Sequence, residues 1–290
     1  MKTPHPRTDA AAPRGIKCPI SAWFAGRSAC GQAAFTLIEV LVVVAIIALL
    51  LSVLLPSLHR AREQGKQAVC LANQHTLALA FVQYAAEFRD AIVPSFTDQY
   101  SWVDWPKLPN GRYLTEDELQ RATDVEAHKR AIRDGKLYRY TKAVEVYHCP
   151  SDGRDRRVSV GGALAYVTYS MLNCMNGDNE WERVIGGTRV TKLTSAIRRP
   201  GDKIVFVEES DPRGLNMGSW VMYLNHEEWI DPLTVWHHGC STLGFADGHA
   251  LVRRWVDPRT VKMSQQQQFY QQAQNNADWQ YMKRSWTVAR

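Results

Sequence analysis

The sequence predicts an α+β fold: a long N-terminal transmembrane helix packed on an antiparallel β-sheet domain. Three observations predict it. Val40 to Leu58 is an apolar run of membrane-spanning length, with Glu39 as the one acidic residue at its start. Ser57 to Phe88 continues in helical period, with Leu77, Phe81, Tyr84 and Phe88 at spacings of four, three and four. Beyond residue 90, short β-branched and aromatic segments alternate with Pro, Gly, Asn and Asp punctuation, which is the pattern of strands and turns.

The elements follow in order. Residues 1–34 hold Lys2, Arg7, Arg14, Lys17 and Arg27 against Asp9, a net +4 of the chain's +6. The basic character thus belongs mainly to this leader. It argues against a nucleic-acid partner and for an N-terminus held in the cytoplasm, since Lys and Arg flanking a span resist translocation. The apolar run exceeds a secretory h-region and no small-x-small cleavage site follows it. Residues 35–58 read as the transmembrane segment and 59–89 as its helical continuation, roughly 80 Å of rod in all at 1.5 Å per residue. Pro56 lacks an N–H and is expected to bend the rod or break its hydrogen-bond ladder. Gly65 is a second weak point.

Residues 90–263 read as an α+β domain outside the cytoplasm. Asp90 to Asn110 is loop-like, and its Trp102 and Trp105 read as buried anchors. Thr115 with Glu118 is a capping box that opens a helix near Glu116, with a break near Thr123-Asp124 and an end around Asp134-Gly135. Strands are expected at Leu164–Met171, Lys203–Glu208, Trp220–Tyr223, Thr242–Ala246 and His249–Val256. Asp247-Gly248 between the last two is a strong hairpin signal. A two-residue turn there sets Ala246 opposite His249, Phe245 opposite Ala250 and Leu243 opposite Val252. Residues 264–290 read as a polar Gln-rich tail, a polar helix or a flexible end.

Several segments carry a resemblance. Ala34-Phe35-Thr36-Leu37-Ile38-Glu39 and the apolar run resemble the processing signal of type IV pilins and type II secretion pseudopilins, with Ala in place of the commoner Gly. The resemblance implies cleavage after Ala34 by a prepilin peptidase, N-methylation of Phe35, and an assembly ion pair between Glu39 and the Phe35 amine of a neighbouring subunit. A carboxylate near lipid is a functional candidate on physical grounds as well. His237, nine residues, then Asp247-Gly248 is similar to the H-x9-DG motif of a planctomycete-type prepilin family. Cys70-Leu71-Ala72-Asn73, Tyr147-His148-Cys149-Pro150-Ser151-Asp152, Tyr169-Ser170-Met171-Leu172-Asn173 and Val205-Phe206-Val207-Glu208-Glu209 are similar to it too. The implied partners are like subunits, the peptidase and an inner-membrane assembly platform; the implied location is the inner membrane, single-pass, with the C-terminal domain periplasmic or extracellular.

His237, Asp247 and His249 are metal-type ligands, but the hairpin explains Asp247-Gly248 without a metal. Asp152, Asp155, Asp178 and Asp211 fall in loops without EF-hand spacing, so neither calcium nor another cofactor is required. Cys18 and Cys30 leave with the leader. Cys70, Cys149, Cys174 and Cys240 permit three pairings; Cys70 with Cys149 is favoured because it would staple the long helix to the sheet domain, and four buried thiols are the alternative. No phosphate loop, nucleophile elbow or zinc-protease His pair is present; His226-Glu227-Glu228 lacks the second His. The expected function is therefore non-enzymatic: a pilin- or pseudopilin-like subunit. The competing class is a membrane-anchored envelope module that binds carbohydrate or metal through the Trp-rich domain, at Trp102, Trp105 and Trp220.

Overall fold

The structure, a computed structural model, describes residues 36–121, 125–156, 164–213 and 219–286. The expected processing residues Ala34 and Phe35, the leader cysteines Cys18 and Cys30, and the Thr123-Asp124 break lie outside them. The chain divides into two units, Met1–Ser52 and Val53–Arg290.

Helix α1, Leu37–Glu87, is 51 residues long, about 77 Å at 1.5 Å per residue. In the first unit it is apolar and fully exposed, with a mean hydropathy of 3.1 over its most apolar window. That length and composition suffice to cross a membrane. Pro56 does not end the helix; Ser57 Oγ bonds the Leu54 carbonyl beside it at 2.8 Å. Gly65 is passed in the same way, with open space where a Cβ would stand.

In the second unit the α1 face changes character. Cys70, Gln74, Leu77, Ala78, Phe81 and Ala85 are buried, the i, i+3, i+4 stripe of a helix laid on a core. Phe88, expected in that stripe, is 41% exposed; it stacks on Tyr84 at 4.4 Å. The helices after α1 are α2 (Glu116–Gln120), α3 (Glu126–Asp134), α4 (Tyr138–Thr141), α5 (Asn179–Val184), α6 (Pro258–Gln266) and α7 (Ala277–Ser285). The capping box is present: Thr115 Oγ1 accepts from Glu118 N–H, and Glu118 accepts from Thr115 N–H at 2.8 Å.

The strands are β1 (Tyr169–Leu172), β2 (Ile204–Glu208), β3 (Ser219–Trp220), β4 (Glu228–Trp229), β5 (Cys240–Phe245), β6 (Ala250–Arg254) and β7 (Gln271–Gln272). Five form one sheet in the order β3-β1-β2-β5-β6, and β4 pairs with β7. The β1–β3 pair is parallel, so the sheet is mixed rather than wholly antiparallel. The strand expected from Leu164 begins only at Tyr169; residues 165–168 are buried without pairing as strand.

Two further expectations are corrected. Strand β5 pairs Leu243 with Leu251 and Thr242 with Val252, and the Phe245 N–H donates to the His249 carbonyl at 2.9 Å. The turn is therefore Ala246-Asp247-Gly248, three residues, with Gly248 at φ +96°. A one-residue slip moves a strand's side chains to the opposite face, so Val252 is exposed while Leu243 and Phe245 are buried. The Gln-rich segment is not a separate tail. Asp257 caps α6 with Pro258 in its first turn, Asn276 caps α7, and Trp279, Met282 and Trp286 are buried in the main core.

Candidate functional site

At the start of α1, the Glu39 N–H donates to Thr36 Oγ1 at 3.3 Å, and Glu39 Oε2 accepts from Thr36 N–H at 2.8 Å. Thr36-x-x-Glu39 is a capping box. The sequence carries this signal as plainly as it does at Thr115, and the expectation of an assembly role alone overlooked it. Glu39 therefore has a local task, satisfying orphan amides of the helix N-terminus.

A second site forms where the resembling segments meet. Cys70 on α1 is disulfide-bonded to Cys149, with Cα atoms 5.4 Å apart. Asn73, one turn on, donates to the His148 carbonyl at 3.0 Å. The Cys149 N–H donates to Thr168 Oγ1 at 3.1 Å, and Thr168 Oγ1 donates to Asp152 Oδ2 at 3.0 Å. Asp152 takes Arg154 side-on, Nε to Oδ1 at 3.0 Å and Nη2 to Oδ2 at 2.8 Å. Arg154 in turn donates to the carbonyls of Asp211 at 2.9 Å and Glu209 at 3.1 Å. The Cys149 loop is thus tied to the sheet through a buried guanidinium, a bidentate geometry that fixes orientation as well as distance.

His237 enters from a tight turn. His237 and Cys240 exchange backbone bonds at 3.2 Å each way, and His238 and Gly239 between them both have positive φ, the geometry of a type I′ turn. The imidazole is buried. Its Nε2 lies 3.4 Å from Cys149 Sγ and 3.5 Å from Glu208 Oε1. Glu208, fully buried at the end of β2, accepts from Thr242 Oγ1 at 2.6 Å. Cys70, Cys149, Glu208 and His237 bring one donor atom each within 4.8 Å of one another.

The other half of the motif sits elsewhere. Asp247 Oδ1 pairs with His249 Nδ1 at 2.5 Å on the exposed hairpin tip, and Phe245 stacks on His249 at 4.3 Å. The whole length of β5 lies between His237 and Asp247, about 20 Å at the rise of a strand. The expected metal set of His237, Asp247 and His249 is therefore not brought together. Gly248 packs on α1 instead: a Cβ there would stand 3.1 Å from Leu79 Cδ2. Between the two ends, Gln74 Nε2 bonds the Thr242 carbonyl at 3.1 Å. The nine-residue spacer is the stretch of β5 and its flanks that runs along α1 from Cys70 to Leu79.

A third feature is a cavity of about 650 Å³ walled by Trp105, Trp181, Phe269 and Tyr270 around the carboxyls of Glu209 and Asp231. Burial pushes Asp231 up to about 7; the Val221 N–H opposes this and the Asp211 charge adds to it. Burial, then the Asp231 and Asp211 charges, push Glu209 well above the usual carboxylate range. Arg213 pairs with Asp211 at 2.5 Å and lies over the Phe269 ring. No sequence spacing links these residues, which come from separate loops and strand ends. Of the three tryptophans that the competing class would place at a binding face, Trp105 lines this cavity, whereas Trp220 and Trp102, the latter read as a buried anchor, are core residues with no exposure.

Residues 30–55 match the prokaryotic N-terminal methylation motif. The match supports a type IV pilin-like precursor with an apolar N-terminal anchor helix. No curated protein and no solved structure shows significant similarity to the chain.

Proposed function

We propose that the chain is a structural, non-enzymatic subunit of a type II secretion or type IV pilus-like system. A prepilin peptidase removes residues 1–34 after Ala34 and methylates Phe35. The apolar part of α1 anchors the subunit in the inner membrane, N-terminus inward, and later packs against like subunits on an assembly platform. The observation that carries this reading is the methylation motif at 30–55 running directly into a helix of membrane-crossing length.

Glu39 is the residue on which assembly turns in this proposal. In a low-dielectric helix bundle an unpaired carboxylate costs several kcal/mol, and the Phe35 amine of a neighbour would offset it. The capping box supplies the control. Glu39→Gln keeps the amide and carbonyl needed for the cap and removes only the charge; Glu39→Ala removes both. Under the proposal both variants are processed, and both fail to enter sheared surface fibres or cross-linked multimers. Normal assembly of Glu39→Gln would reduce Glu39 to a helix cap and remove the ion pair.

A second reading has its own observation, the aromatic cavity beside two carboxyls that burial pushes toward the protonated form. Rings that stack on sugar faces and neutral carboxyls that hydrogen-bond hydroxyls suit a carbohydrate ligand. Trp181→Ala and Tyr270→Ala separate the readings. Loss of retention on immobilised polysaccharide at unchanged melting temperature supports an envelope binding module; no retention by the parent chain argues against it.

A further inference from the structure

The cluster around His237 is built beyond what a disulfide needs. Its members come from α1, the Cys149 loop, the end of β2 and the turn before β5, and the side chains of Glu208 and His237 are at most 1% exposed. Within it, Glu208 Oε2 and His237 Nδ1 are buried with no hydrogen-bond partner among the described residues. A buried carboxyl with an oxygen left unpartnered is costly, and a cation at this point would offset the cost.

The donor set and its spacing say which cation. Two sulfurs, an imidazole nitrogen and a carboxylate oxygen are the donors of a four-coordinate zinc site. With metal–ligand bonds of about 2.0–2.3 Å, the edges of such a tetrahedron are about 3.3–3.8 Å. The His237 Nε2 edges to Cys149 Sγ and Glu208 Oε1 are 3.4 and 3.5 Å. The Thr242 hydroxyl already holds Glu208 Oε1 from behind at 2.6 Å, the orienting contact that metal-binding carboxylates ordinarily have.

We propose that Cys70, Cys149, Glu208 and His237 bind one Zn(II) ion when the Cys70–Cys149 disulfide is reduced. Reduction takes two electrons and two protons from a dithiol, which leaves as its own disulfide. Zinc then displaces the two thiol protons to solvent and takes His237 as the neutral ring through Nε2. All four positions are filled by protein, so the site is structural: either state, disulfide or zinc, ties α1 to the Cys149 loop.

The test uses the full-length chain in detergent with Cys18, Cys30, Cys174 and Cys240 replaced by serine. It is reduced with a dithiol, freed of reductant under nitrogen and titrated with Co(II). The expected result is one cobalt per chain, with thiolate-to-cobalt absorption in the near ultraviolet and the strong visible bands of four-coordinate cobalt, displaced by Zn(II). The oxidised chain takes up none, and Thr242→Val weakens uptake by about 10–100-fold. A reduced parent chain without thiolate–cobalt absorption would overturn the site. So would uptake left unchanged by both Glu208→Gln and Thr242→Val; His237 and Glu208 would then be a buried polar contact beside a plain disulfide.

Discussion

Asp231 shows how much of the cavity's chemistry depends on burial. Its carboxyl titrates near 4 in an unfolded chain and at about 7 in the fold. Between those values the folded state keeps a proton that the unfolded state has lost. The stability this confers is full below about pH 4 and disappears as the pH rises through 7. Asp231→Asn removes the titration. Its unfolding midpoint relative to the parent should therefore move in the variant's favour between about pH 5 and pH 8, as followed by circular dichroism; a difference constant with pH would contradict the assignment. Asp231 did not stand out in the sequence and Glu209 did so only as the end of a resembling segment, because a raised carboxyl is produced by neighbours that are distant in the chain. Glu39 is the opposite case. Thr36-x-x-Glu39 is a local pattern and was fully readable as a cap.

At the scale of elements, α1 is held to the sheet at both ends of one strand. The Cys70–Cys149 bond closes a separation of 79 residues. Breaking it in metal-free protein should cost roughly 2–5 kcal/mol, read as a lower denaturation midpoint under reductant and chelator; an unchanged midpoint would show that the loop is held by Arg154 and Asn73 alone. At the far end, Gly248→Ala meets two obstacles, a φ of +96° and Leu79 at 3.1 Å. A loss of more than about 1 kcal/mol in the same assay is expected. The long helix, the hairpin and all five sheet strands were legible from apolar period and turn residues, β3 through Trp220 alone. The hairpin's register was not, because α1 sets it: Gly248 must lie in the left-handed region against Leu79, and that lengthens the turn by one residue. Strands β4 and β7, two residues each, are too short to leave a period. The Gln run concealed a docked helix pair, although its caps, Asp257-Pro258 and Asn276, stood in view.

For the whole molecule, the segments marked by resemblance in sequence turn out to be neighbours in space, apart from Asp247-Gly248 beyond the far end of β5. Cys70 and Asn73, His148 to Asp152, Thr168 beside Tyr169, Glu208 and His237 are joined by one set of hydrogen bonds and one disulfide. The sequence marked these residues but did not say that they converge, since convergence depends on the order of the sheet. The apolar half of α1, by contrast, was read from composition alone. The helix fits a single-pass membrane anchor by length and composition.

Assembly as proposed depends on removal of the basic leader while the apolar helix stays in the membrane. The intact mass and N-terminal sequence of the protein extracted from membranes test it most directly. The predicted result is a mature chain that starts at N-methylated Phe35. A membrane-bound chain that still begins at Met1, in cells with an active prepilin peptidase, would contradict it.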